Sequence, residues 1–262
     1  MATVTVNSFY EFVAAVAVSG NTVNLPVKAV WDLNDTYPEG YTSNIPINCS
    51  TINGNGTEIR NLHMYGEFVV PANLEINDLN LTNIVCEGTE FFGSSGLSRV
   101  LTLNGCIVTG IYGVDTIYFN YGVLVLNRSV INFDMTAGGY SDIEISSFAQ
   151  YSSQYSRISV VYPQNYGGGF NFGSANFCMF NINFLGCRYI ESSDLSGCVV
   201  LGNFGEAYDS NYYGRHGAFV SVFDVAAMSD EFTTANPYFK GVTHEQLYDA
   251  AYLQSIGFPI GA

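Results

Sequence analysis

Basic residues are scarce in this chain of 262 residues: Lys and Arg together number 8 against 23 Asp and Glu, a formal net charge of −15. Such a surface repels phosphate backbones and anionic headgroups, which argues against nucleic acid and membrane as partners. Charge of either sign is thin, at 12% of residues, whereas aromatics make up 15%. Gly, Asn, Ser and Tyr are plentiful, a mix that favours strands and turns over solvated helices. Long apolar runs are missing too. The run "FVAAVAV" (12–18) is too short to span a bilayer. The first basic residue is Lys28, so no positive segment of a secretory signal is expected. The six cysteines (Cys49, Cys86, Cys106, Cys178, Cys187, Cys198) then read as buried thiols rather than disulfides. A protein of this kind working outside a cell would leave by lysis.

Histidine is rarer still. His63, His216 and His244 form no close pair with each other or with Cys at metal-ligand spacing, so no metal is expected. "HEQ" at 244 lacks the second His of a zinc-protease motif. "NGNGTEI" (53–59) begins like a dinucleotide fingerprint, but Ile59 stands at its third glycine position and a strand follows, so no cofactor is expected. The Asn-x-Ser/Thr sites at Asn34, Asn48, Asn55, Asn80 and Asn127 read as turn chemistry rather than glycan acceptors.

What is abundant is repetition. "IRNLHM", "LTNIVC", "LNGCIV" and "LNRSVI" begin at Ile59, Leu81, Leu103 and Leu126, spaced 22, 22 and 23 residues apart. The fixed signature of leucine-rich repeats is absent. Short alternating segments broken by Asn or Gly mark strands with one buried face. A period of this length fits one coil of a parallel β-helix, with equivalent strands stacked ~4.8 Å apart. Aligning the phrases predicts a column Ile59, Leu81, Leu103, Leu126 and a second column Leu62, Ile84, Cys106, Ser129. Asn83, Asn104 and Asn127 then form an asparagine ladder at a turn. "NFLGCRYI" (183–190) and "DLSGCVVL" (194–201) continue the pattern, with Cys187 and Cys198 on successive sides of one coil.

The expected architecture is all-β: a right-handed parallel β-helix of about seven coils over residues 45–205, roughly 35 Å long. Residues 1–44 form a strand and a capping helix that covers an open end, with Ser8 and Glu11 at capping-box spacing and Gly20 as the stop. Residues 206–262 form an irregular segment and a short helical tail. There Thr243 and Gln246 are the box, Gly257 the stop, and Leu247, Ala250, Ala251 and Ile256 an apolar stripe.

Candidate chemistry is sparse. Glycan hydrolysis wants two carboxylates about 5–10 Å apart. Asp32 with Asp35, Asp142 with Glu144, Glu191 with Asp194 and Glu206 with Asp209 are the available pairs. Alternation puts Asp142 and Glu144 on one strand face, though in so acidic a chain two solvated acids are the commoner arrangement. A lyase would need a base beside an acidic sugar, yet Lys28 and Lys240 lie outside the coils and the arginines are dispersed. "RHG" at 215–217 has no paired-Asp segment beside it. Residues 145–190 contain no acid and are crowded with aromatics. Among these, Tyr151, Tyr155, Tyr162 and Tyr166 suit contact with sugar rings or a protein partner. Aromatic core and turn residues are the plainer alternative.

The phrases "INGNGTEIRNL", "LEINDLNLTNI" and "LTLNGCIVTG", with the opening "FYEFVAAVAVSGNTVNLP", resemble the pectin-lyase-like right-handed β-helix superfamily over residues 1–205. The ending "YLQSIGFPIG" on an acidic chain is similar to small virion proteins of tailed bacteriophages. The resemblance implies a structural protein displayed on the virion as a head fibre, decoration or spike. It further implies a homotrimer, contact with other virion proteins and with host surface glycans, and no catalysis. The rivals are a polysaccharide hydrolase or lyase of the tail-spike depolymerase type and a carbohydrate-binding adhesin.

Overall fold

The computed structural model describes residues 2–66, 68–70, 73–86, 92–93, 100–111, 117–119, 123–134, 143–145, 148–149, 156–161, 169–176, 178–183, 189–196, 199–201, 221–224 and 239–258, with backbone register alone in many of the later strands. The chain winds as a parallel β-solenoid with few helices.

Two long ladders dominate it. Face A stacks seven strands: Thr3–Thr5, Thr22–Asn24, Thr51–Asn53, Leu74–Asn77, Val100–Asn104, Val123–Asn127 and Phe148–Ala149. Face B stacks ten: Val30–Asp32, Glu58–Arg60, Asn80–Thr82, Ile107–Ile111, Val130–Asp134, Ser156–Val161, Cys178–Asn183, Val199–Leu201, Ser221–Asp224 and Phe239–Val242. Remaining strands form shorter ladders, among them Ile117–Phe119, Ile143–Ile145, Gly169–Asn176 and Tyr189–Ser196.

Strand alternation sends every second residue inward. On face A the inner column is Val23, Ile52, Ile76, Leu103 and Leu126. On face B it is Trp31, Ile59, Leu81, Val108 and Ile131. Apart from the half-buried Trp31, all of these are buried. Burying a side chain of this size contributes about 1.5–3 kcal/mol, so the columns supply the main cohesive force between turns.

The expected column Ile59–Leu81–Leu103–Leu126 is therefore corrected: its first two members belong to face B and its last two to face A. Both faces carry the same apolar–polar–apolar pattern, so alignment by letter matched a strand on one face to a strand on the other. Rungs on face A are separated by 29, 24, 27 and 23 residues, a looser period than the phrases suggest. The second expected column divides likewise. Cys106 does meet Ser129, whose Oγ accepts from the Cys106 N–H at 3.1 Å. The rungs beneath them are Leu79 and Thr57, through backbone bonds from Ile107 N–H to Leu79 O and from Asn80 N–H to Thr57 O. Leu62 and Ile84 occupy a different corner.

The corner between the faces turns through the left-handed region on every rung, at Lys28, Asn55, Asp78, Gly105 and Arg128 with φ between 48° and 64°, joined on one rung by Gly56 at φ 75°. A second corner repeats the device at Asn61, Asn83 and Gly110. Asn, Asp and Gly suit this conformation, while other residues pay about 1–2 kcal/mol. At Gly110 space adds to the argument, since a Cβ would lie 2.7 Å from Asn83 Cα.

At the N-terminal end, helix α1 (Phe9–Val16) begins at Ser8, whose side chain accepts from Glu11 N–H, while Glu11 Oε2 accepts from Asn7 N–H. Its buried Phe9, Phe12, Ala15 and Val16 face the first turn, with Phe12 against Trp31 and Phe9 against Tyr37 and Tyr41. The last carbonyls of the helix are not left bare. Val16 O accepts from Asn48 and Cys49 N–H, and Ala17 O from Asn48 Nδ2.

At the C-terminal end the expected box is present, Thr243 and Gln246 exchanging reciprocal bonds of 2.9 and 3.2 Å. It starts a 3₁₀ turn (Gln246–Tyr248) rather than the helix itself. Asp249 caps the separate helix α2 (Ala250–Ser255) by accepting from Tyr252 N–H. The helix stops in a Schellman arrangement, Phe258 N–H to Leu253 O and Gly257 N–H to Gln254 O, with Gly257 at φ 87°. Leu253 and Phe258 pack with Val222 and Val242, and Leu247 and Ile256 join the contact from the rim. Ala250 and Ala251 are exposed, so the expected stripe is corrected at those two positions.

Candidate functional site

Side-chain amides give the faces their most organised polar feature. On face A five successive rungs carry an Asn at the same register position, and from the second onward each Nδ2 donates to the Oδ1 of the rung below. The bonds run Asn53 to Asn24 at 2.8 Å, Asn77 to Asn53 at 3.0 Å, Asn104 to Asn77 at 2.7 Å and Asn127 to Asn104 at 2.7 Å. The Oδ1 of Asn127 is buried with no partner among the described residues. Asn104 and Asn127 thus share a ladder, while Asn83 stands on another. Its Nδ2 donates to Asn61 Oδ1 at 2.6 Å, and Asn61 Nδ2 donates to Asp32 Oδ1 at 2.8 Å.

Asp32 ends that second ladder as a carboxylate. The Asn61 amide bond, helped by the Asn34 N–H and the Arg60 guanidinium at 2.9 Å, holds its pKa below the ordinary value of 3.8 despite partial desolvation. A glycosidase acid needs the opposite shift. Asp32 therefore does not suit the acid role in the Asp32/Asp35 pair.

Asp142, Tyr151, Tyr155, Tyr162, Tyr166, Glu206, Asp209 and His216 lie outside the described residues. Glu144 falls within Ile143–Ile145, where register aligns it with Tyr118 on one side and Asn171 on the other. Asn171 in turn aligns with Glu191. Glu144 and Glu191 therefore share one register row two strands apart, roughly 10 Å by inter-strand spacing. Sequence spacing could not find this pairing, because 47 residues separate the two acids. Asp194, three residues from Glu191, aligns with Ser174 in a different row.

Cys49, Cys86 and Cys106 are buried. Burial pushes the Cys49 and Cys106 thiols up to about 11, which removes the reactive thiolate at neutral pH. The His63 ring stacks on Tyr65 at 4.7 Å, and the His244 ring meets Tyr248 at 5.3 Å. Among the described residues no group of three or more His, Cys, Asp or Glu is placed to hold a metal ion. Nor is any helix among them long and apolar enough to cross a membrane. No family model, curated protein or solved structure matches the chain.

Proposed function

We propose that this chain is a structural protein of a tailed-bacteriophage particle, displayed as a head fibre, decoration or spike. In this reading the solenoid is right-handed, reaches about seven coils, and is capped by α1 at one end and by the C-terminal tail at the other. It associates as a trimer with other virion proteins and touches host surface glycans. The observation that carries the proposal is the pair of amide ladders above an apolar core. Both spend their polar groups along the axis, as suits a body that must hold its shape.

A second reading, a polysaccharide hydrolase, is favoured by the shared row of Glu144 and Glu191. One experiment separates the two. Wild-type protein, Glu144→Gln and Glu191→Gln are incubated with surface polysaccharides of candidate hosts, and the polymer size distribution is followed. The structural reading predicts unshortened chains throughout. Shortening by wild type that either substitution abolishes, with an unchanged melting temperature, would replace it with the hydrolase.

A further inference from the structure

The segments "NGNG" (53–56) and "NG" (104–105) hold the chain's three Asn–Gly bonds, all at the corner between faces A and B. Such bonds are chemically labile. The Gly nitrogen attacks the Asn side-chain carbonyl carbon, the amide nitrogen leaves as ammonia, and a succinimide closes. Water then opens the ring to Asp or isoaspartate. Glycine permits the attack because it has no Cβ to shield its nitrogen. The reaction still needs a nitrogen that can approach and a side chain that can turn.

The stacked coil withholds both. Each Gly nitrogen donates to the rung that follows: Gly54 N–H to Asn77 O at 2.6 Å, Gly56 N–H to Asp78 O at 2.7 Å and Gly105 N–H to Asn127 O at 2.8 Å. Each Asn amide donates to the rung before. Asn53 Nδ2 reaches Asn24 Oδ1 and Asn55 Nδ2 reaches Leu25 O, both at 2.8 Å. Asn104 Nδ2 reaches Asn77 Oδ1 at 2.7 Å and Glu75 Oε1 at 3.0 Å. Nucleophile and leaving group are thus held in opposite directions along the solenoid axis. Asn53 and Asn104 are fixed further, since their Oδ1 atoms accept from Asn77 and Asn127.

We propose that Asn53, Asn55 and Asn104 are deamidation sites which the stacking of rungs holds unreactive, and that reaction at Asn104 bars an opened rung from restacking. Deamidation there replaces a donor with a carboxylate. The new oxygen would face the Glu75 carboxylate and the Asn77 carbonyl oxygen across the distances the amide bonds now span. Like charges at that range, with acceptor against acceptor, oppose return to the ladder. The isoaspartate product also lengthens the backbone by one methylene at the corner, which shifts the strand that follows. A rung that opens long enough to react is therefore marked irreversibly.

The test incubates the full chain at mildly alkaline pH, folded and in urea, and follows deamidation at each site by peptide mass spectrometry. All three sites are expected to react about 100-fold more slowly in the folded chain. Asn77→Ala removes side-chain partners of Asn53 and Asn104 but leaves Leu25 O in place for Asn55. In that folded variant, reaction at Asn53 and Asn104 should rise about tenfold relative to Asn55. Asn104→Asp, the product itself, should melt below Asn104→Ala, and Glu75→Gln should close the gap. Equal rates in folded and unfolded chain overturn the proposal, as does an equal rise at all three sites in Asn77→Ala. An Asn104→Asp variant that melts no lower than Asn104→Ala overturns the barrier to restacking.

Discussion

Replacing Asn77 with Ala interrupts the face A ladder at its middle. The residue donates to Asn53 Oδ1 at 3.0 Å and accepts from Asn104 Nδ2 at 2.7 Å, so two inter-rung bonds are lost. A hydrogen bond contributes about 0.5–1.5 kcal/mol net, and a part-buried acceptor left without a partner costs about 1–3 more. Asn104 Nδ2 retains its bond to Glu75 Oε1 at 3.0 Å, so only Asn53 is orphaned. The expected cost of Asn77→Ala is then about 2–6 kcal/mol. Asn24→Ala, at the end of the ladder, loses the one bond from Asn53 and orphans Asn53 Nδ2, so it should cost about 1.5–4.5 kcal/mol, less than Asn77→Ala by about one hydrogen bond. Urea unfolding followed by circular dichroism gives both values, with an unchanged slope showing that the same surface is exposed. In thermal melts the central variant should lose roughly 5–10 °C. A double-mutant cycle with Asn104→Ala isolates the pair. Equal costs at Asn24 and Asn77, or no coupling between Asn77 and Asn104, would show that the amides do not bind the rungs together.

Other consequences follow from single residues. Gly110→Ala forces a Cβ to 2.7 Å from Asn83 Cα at φ 76° and should destabilise by about 2–4 kcal/mol in urea, whereas Arg128→Gly, relieving φ 52°, should be neutral or mildly stabilising. Because the folded pKa of Asp32 lies below its unfolded value, its contribution is present above pH 3.8 and is lost as pH falls through the folded value. The melting difference between wild type and Asp32→Asn should therefore close on acidification below 3.8, and a constant gap would refute the ion-pair assignment. Cys49, Cys86 and Cys106 should resist iodoacetamide at neutral pH and react only in urea, as read by peptide mass spectrometry. Leu253→Ala should cost about 2–4 kcal/mol by opening the contact between α2 and Val222 and Val242, measurable as earlier proteolysis of the tail.

The solenoid was legible because inward residues must alternate, and Leu101, Leu103, Ile76 and Leu74 keep that rule without exception. Its register was not. A corner of one left-handed residue, such as Gly105, is too short to announce in sequence that "LTLN" and "CIVT" lie on different faces. Asparagine spacing points to a ladder, yet Asn83 and Asn104 both follow a leucine and local pattern does not tell their columns apart. Only the backbone pairing divides them. The capping box at Thr243 and Gln246 was readable, but Asp249 set a second start three residues on and cut the helix short. The row linking Glu144 to Glu191 depends on coil length, which short-range patterning does not encode.

Immunogold electron microscopy of particles released by lysis of the producing cells, with antibody raised against the purified chain, tests the central claim most directly. The account predicts gold at fixed positions on the particle surface and the protein co-sedimenting with particles in a density gradient. Protein confined to the soluble fraction, with unlabelled particles, would contradict it.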